Sequence, residues 1–321
     1  MLNEKRASTK ERWIGTYDEG IAGPLIFMMG GIHGNEKAGV TALEYLIKML
    51  EVEPVTNENF SFSGRLVALR GNIQALQKGV RFVKQDLNRM FRPELMAEIR
   101  QKKEKSNEEK ELVEIIEFFE KHIEAYQPEK VYLLDLHTTS VSGGIFTITD
   151  DSPAALELAL ELGAPVIEGF LSGLQGTILH YMGGSYLHAD STALVFEAGQ
   201  HEDKFSVNRA IAAAVNFLSA IGAVEKFHIA PRHAKILWDS ANGLPAHNRL
   251  IYTHTIAPED RFEMKPGFSN FEKIQKGQIL ADSAHGEVRS PMAGLLLMPL
   301  YQKKGDDGFF IVKPVSDVKI S

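Results

Sequence analysis

The chain has 321 residues, is 44% hydrophobic and 24% charged, and carries a formal net charge of −7. That length allows one large domain plus a smaller one around a sizeable buried core, and the acidic balance weighs against nucleic acid as the main partner. There is no cysteine, which excludes disulfides, thiolate metal sites and cysteine nucleophiles, so any metal ion must be held by His, Asp or Glu. Residues Met1 to Thr16 are polar and mixed in charge, with no apolar run, so no secretory signal is expected. Apolar runs such as Pro24–Met29 are far too short to span a bilayer. The expected location is the cytoplasm, with no membrane partner.

The first two-thirds of the chain alternates strand-like and helix-like segments. Pro24 to Met29 is a short apolar run ending in Gly30-Gly31, which reads as a buried strand and a loop. Within that loop, Gly30-Gly-Ile-His-Gly-Asn-Glu36 places His33 and Glu36 three residues apart. The glycines permit a bend that aims both side chains at one point, and imidazole with carboxylate makes a good zinc donor pair. Alone, such a pair is more often structural than metal-binding. Glu36 to Leu50 follows with apolar residues at helical spacing, and Gly64 to Leu69 is a second strand.

Arg81-Phe-Val-Lys-Gln-Asp-Leu-Asn-Arg89 comes next. The planar donor forks of Arg81 and Arg89 suit a carboxylate and a developing oxyanion, and Asn88 offers a further hydrogen bond. Surface salt bridging is the commoner fate of arginine, and spacing alone does not choose. From Leu95 to Tyr126 the dense Lys/Glu mixture reads as two solvated helix faces that break at Ser106-Asn107.

Val131 to Leu136 is a third strand, with His137 at its carboxyl end and Asp135 on the same face, placed to orient the imidazole. A helical pattern covers Ser152 to Leu162. Ala193 to Phe196 is a fourth strand, ending in Glu197. Ligands of open parallel sheets bind at the carboxyl ends of strands, so three strands would deliver His33 and Glu36, His137, and Glu197 to one edge. Two His and a Glu as ligands, with a second Glu as base, is a hydrolytic zinc design. A helix over Ser206 to Ile221 closes this part.

The alternation predicts an α/β fold whose mixed, mainly parallel sheet is covered by helices on both faces. After about Val224 the pattern changes to short strand-like pieces at Lys235–Trp238, Arg249–Thr253, Gln278–Leu280, Gly286–Arg289, Gly294–Pro299 and Gly308–Val312. This predicts a catalytic domain over residues 1–225 and a small C-terminal all-β domain over 226–321.

Gly31-Ile-His-Gly-Asn-Glu36, Asp86-Leu-Asn-Arg89, Asp135-Leu-His137 and Phe196-Glu197 together resemble, in order, the motifs of the succinylglutamate desuccinylase/aspartoacylase family, part of the wider zinc carboxypeptidase-like group. The resemblance covers roughly residues 24 to 224. It implies one Zn2+ per chain, held by His33, Glu36 and His137. It further implies Glu197 as general base, Arg81 as the group that polarises the scissile carbonyl, and Asn88 with Arg89 as the grip on a substrate α-carboxylate. The expected substrate is a small N-acyl amino acid, and a homo-oligomer is possible. Where aspartoacylases carry an arginine that reads the substrate side chain, this chain has Leu187, which argues against N-acetylaspartate.

Gly277 to Ala281 and Val288 to Gly294 are similar to barrel-sandwich lipoyl and biotinyl domains, but without the lysine tip a carrier needs. The expected role of this part is to narrow access to the metal. A metallocarboxypeptidase and a non-catalytic zinc-dependent binding protein are the competing readings. His180, His188 and His201 stand nearest the site in sequence and are candidates for substrate contact; the remaining histidines are read as structural.

Overall fold

Apolar runs four to six residues long become strands when each face of the sheet is covered, because both sides of the pleat are then buried. This is the state of the four central runs here. The computed structural model describes residues 12–183, 186–226, 231–315 and 320. Strands β1 (Trp13–Asp18) and β2 (Ile21–Gly30) precede helix α1 (Lys37–Thr56), β3 (Ser63–Arg70) and the short α2 (Ile73–Lys78). A 3-10 turn at Leu87–Arg89 leads to α3 (Pro93–Gln101), α4 (Asn107–Tyr126), β4 (Val131–Thr139), β5 (Phe146–Thr149), α5 (Pro153–Glu161) and β6 (Val166–Glu168). Then come α6 (Phe170–Gly173), α7 (Ile178–Gly183), β7 (Ser191–Gln200), α8 (Ser206–Ala220) and α9 (Pro231–Ala241). The remaining strands are β8 (His247–Thr255), β9 (Glu263–Met264), β10 (Lys273–Ile274), β11 (Ile279–Ser283), β12 (Gly286–Arg289), β13 (Gly294–Leu297) and β14 (Asp307–Pro314).

Eleven of these strands form one sheet in the order β1-β3-β2-β4-β7-β5-β6-β8-β14-β13-β10, and β12-β11-β9 form a second. Side chains alternate across the strands and fill two cores. Leu25, Phe27 and Met29 of β2 pack with Ile115 and Phe119 of α4 on one face. Ile26 and Met28 pack with α1 and α8 on the other. A third, smaller core around Leu280, Leu296 and Phe309 lies among the C-terminal strands. Ser106 begins α4 with a capping box to Glu109, which explains the break between α3 and α4.

Four expectations change. The main sheet is not mainly parallel: of its ten strand pairings, five are parallel and five antiparallel. The parallel block β3-β2-β4-β7 comes from strands joined through helices. Hairpin-type neighbours such as β11–β12 and β13–β14 must run antiparallel. Lys235–Trp238 is not a strand but part of α9, whose buried His233, Leu237 and Ala241 recur at four-residue spacing; four residues are too few to reveal that period. The stretch from 226 is therefore not all-β. Its strand β8 also pairs with β6, so the main sheet continues across the expected boundary at 225/226. Finally, the charged face of α4 is not wholly solvated, since Glu108 and Glu111 are buried.

Helix α1 lies close against the sheet through Gly39. A Cβ there would stand 2.6 Å from Leu136 O and 2.8 Å from Leu136 Cβ. In an ordinary helix interior Gly→Ala stabilises by about 0.5–1 kcal/mol. Gly39→Ala should instead cost about 1–3 kcal/mol in urea unfolding, as overpacked sites do. A net gain in stability would contradict this close approach.

Candidate metal and active site

The parallel block brings three strand ends together. Gly30 of β2 pairs with Leu136 of β4, and His137 of β4 pairs with Glu197 of β7. The loop leaving β2 turns through Gly31, at φ +75°, and drops beside the end of β4. Glu36 stands at the N-cap of α1 yet makes no cap hydrogen bond. Its carboxylate is turned into the site instead. Oε1 lies 2.8 Å from His33 Nδ1, and Oε2 lies 3.0 Å from His137 Nδ1. Thr138 N also donates to Oε2 at 3.0 Å.

Each imidazole is backed by a second carboxylate. His33 Nε2 stands 3.1 Å from Asp86 Oδ1, and His137 Nε2 stands 2.8 Å from Asp135 Oδ2. A carboxylate behind a histidine fixes ring orientation and raises its strength as a ligand. One donor atom from each of His33, Glu36 and His137 lies within 4.8 Å of the others. Two imidazoles and a carboxylate, all buried, form a donor set that could hold a divalent metal ion.

The electrostatics agree with that use. Burial alone would raise Glu36, but the two imidazoles outweigh it and hold its carboxylate well below the ordinary range. Burial would lower His137, but Asp135 and Glu36 overcome this and raise it well above the usual imidazole value. A pocket of carboxylates that draws a proton draws a metal ion in competition with it. Glu197 behaves oppositely. Burial pushes it up to about 8, His137 opposes this, and the like charge of Glu36 adds to it. Among the described residues Glu197 Oε2 is buried without a hydrogen-bond partner.

The Arg81–Arg89 segment joins the site from the side. Arg81 donates to Asp86 Oδ2 from Nε and Nη2 at 3.2 and 3.0 Å, and its Nη1 lies 3.5 Å from Glu36. Its loop is pinned by the buried Glu108 of α4, which accepts from Val83 N at 2.7 Å. Asn88 is buried, and its side-chain oxygen accepts from Ile178 N at 2.9 Å. Arg89 donates to Asp307 of β14 at 2.7 Å.

Together with His33, Glu36, His137 and Glu197, these three residues line one pocket that opens to solvent, with a cavity volume of about 120 Å³. His180 lines it too, with Nδ1 2.7 Å from Thr177 Oγ1 and Nε2 3.1 Å from Leu171 O. His188 is turned away onto the backbone oxygens of Pro128 and Asp190. His201 sits behind the site, 2.8 Å from Thr138 Oγ1. His228 lies outside the described residues.

Residues 22–215 match the family model described as the succinylglutamate desuccinylase/aspartoacylase catalytic domain. The chain belongs to this family. A segment of 81 residues is 38% identical to the succinylglutamate desuccinylase of Pseudomonas paraeruginosa, covering 24% of this chain and 21% of that protein. The match to this curated relative thus spans about a fifth of its length. The succinylglutamate desuccinylase structure from Vibrio parahaemolyticus superposes with a TM-score of 0.62 at 16% identity, covering 91% of this chain and 82% of the other. The succinylglutamate desuccinylase/aspartoacylase structure from Rhodobacter sphaeroides gives 0.64 at 18% identity, covering 92% and 87%. Both share the mixed α/β fold.

Three participants were not assigned from the sequence. Asp86 bridges His33 and Arg81, although only its motif stood out. Thr138, next to His137, reaches Glu36 through its backbone. Asp307 arrives from a distant strand, and no local pattern marks it. Metal content of the purified protein tests the donor set: His33→Ala or His137→Ala should remove stoichiometric binding. Asp135→Asn should weaken affinity about 10–100-fold and leave the fold intact.

Proposed function

We propose that the protein is a zinc-dependent deacylase, with one zinc ion per chain, that hydrolyses the amide bond of a small N-acyl amino acid. The observation that carries this reading is the buried Glu197, unpartnered at Oε2 among the described residues, one strand away from the His33-Glu36-His137 donor set. A protein that only bound zinc would have no use for such a base. Zinc held by His33, Glu36 and His137 would supply Lewis acidity toward water and the scissile carbonyl.

The side chains then have separate tasks. Glu197 takes a proton from the attacking water and later gives it to the leaving amine. Burial raises this carboxyl above the ordinary carboxylate range, towards the neutral pH at which a group that both accepts and returns a proton works best. Arg81, already aimed across Glu36, donates to the developing oxyanion. Asn88 and Arg89 hold the α-carboxylate and so fix the reacting geometry. Catalysis is assigned to residues 1–225, and residues 226–321 narrow the entrance. Leu300, Gln302 and Asp306, from the link between β13 and β14, line the pocket and favour a small substrate over the peptide C-terminus of a metallocarboxypeptidase.

Glu197→Gln should lower kcat by about 10²–10⁴-fold with zinc content unchanged. The assay is a screen of acetyl, succinyl and longer N-acyl amino acids that follows free amine; near-normal turnover in this variant would remove the assigned base. Because Asp307 occupies the guanidinium of Arg89, the two are expected to move KM in opposite directions. Arg89→Ala should raise KM about tenfold or more, through loss of a charge-assisted hydrogen bond. Asp307→Asn should lower it by freeing the arginine for the substrate. Steady-state kinetics of the two variants would refute the grip if KM moved in neither.

A further inference from the structure

The pocket has a second end that this mechanism leaves unused. From Glu197 its floor runs two residues back along β7 to Val195, on the same face of the strand. Across the ladder it meets Ile148 of β5, the register partner of Val195. Phe170 and Leu171 of α6, with Leu174 just beyond it, form the roof. Phe310 of β14 closes one side, its ring 5.1 Å from that of Phe170. These six side chains line the same pocket as the metal donors.

The two arginines that line the pocket are already engaged by carboxylates. Arg81 is engaged by Asp86 and Arg89 by Asp307. Leu187 is packed against the hydrophobic core on this face of the sheet. A substrate carboxylate placed among these six apolar side chains would lose its water and gain none of their atoms as a donor, and the ring of His180 beside Leu171 is already held between Thr177 Oγ1 and Leu171 O, so the placement is strongly unfavourable. A hydrocarbon or aromatic group there would release water and gain close contact on every side.

We propose that this lobe receives an uncharged, apolar part of the substrate. The protein then deacylates N-acyl amino acids that carry a hydrocarbon or aromatic group in this lobe, in preference to those that would place a carboxylate there, as N-succinylglutamate would with its acyl carboxylate. The inference rests on the deacylase reading and narrows it. The apolar group can belong to the acyl chain or to the amino acid, and two arms of one experiment separate these sources.

Zinc-loaded protein is offered N-hexanoyl-L-glutamate against N-succinyl-L-glutamate, and N-acetyl-L-phenylalanine against N-acetyl-L-aspartate. In at least one arm the apolar member should exceed the charged one tenfold or more in kcat/KM. Lengthening the favoured chain should add about fourfold per methylene buried until the lobe is full. Leu174→Arg, at a half-buried position on the roof, should reduce that preference at least tenfold by supplying the missing cation. Calorimetry on the same protein should find hexanoate or phenylalanine bound more tightly than succinate, with a negative heat-capacity change.

Preference for the charged member in both arms overturns the inference and leaves the deacylase reading standing. Absence of turnover with all four compounds, while hexanoate or phenylalanine still binds more tightly than succinate, overturns the deacylase reading and with it the substrate assignment.

Discussion

One carboxylate ties the site together. Glu36 touches His33 through one oxygen, His137 and the backbone of Thr138 through the other, and lies within reach of Arg81. These partners come from different parts of the chain. They meet only because α1 begins at the end of β2 and β2 lies beside β4. A buried carboxylate without such partners would be driven to its neutral form. Here the imidazoles keep it ionised, and Asp86 and Asp135 hold the imidazoles in turn. The arrangement is a closed chain of charges. Each link would be costly alone and is stabilised by the next.

The register of the parallel block is what allows that chain to close. A slip of one residue between β4 and β7 would send Glu197 to the opposite face of the sheet, away from His137. The slip is resisted by the apolar side chains of both strands, which are buried on both faces. The packing that makes the strands legible as apolar runs therefore also sets the spacing between Glu197 and the His33-Glu36-His137 group. Stability and site geometry are not separable along these strands.

That coupling explains how much was legible beforehand. His33, Glu36, His137 and Glu197 stood out because each is polar at the end of an apolar run, where burial makes a polar group conspicuous. Asp135 followed from strand alternation. Asp307 and the apolar lobe did not stand out. Asp307 sits at the start of a strand with no chemical context nearby, and Phe170, Leu171 and Leu174 look like ordinary core residues until the fold leaves a cavity beside them. The sheet directions were misjudged for a similar reason. A run of apolar residues reports burial, whereas parallel or antiparallel pairing depends on connections that join distant strands. α9 was misread because a four-residue window cannot distinguish the periods of helix and strand.

The sheet's continuation through β8 into β14 has a consequence for how this protein can change. The His33-Glu36-His137 group and Glu197 sit at the ends of β2, β4 and β7, whereas Phe310, Asp307 and the loop before β14 shape the far wall of the same pocket. On the proposed function, reactivity and selectivity are thus written on stretches of chain far apart in sequence but locked to one scaffold. Substitutions around β14 can retune what enters without disturbing the donor set. A family built on this plan can diversify its substrates by drift at one end of a sheet whose other end stays fixed.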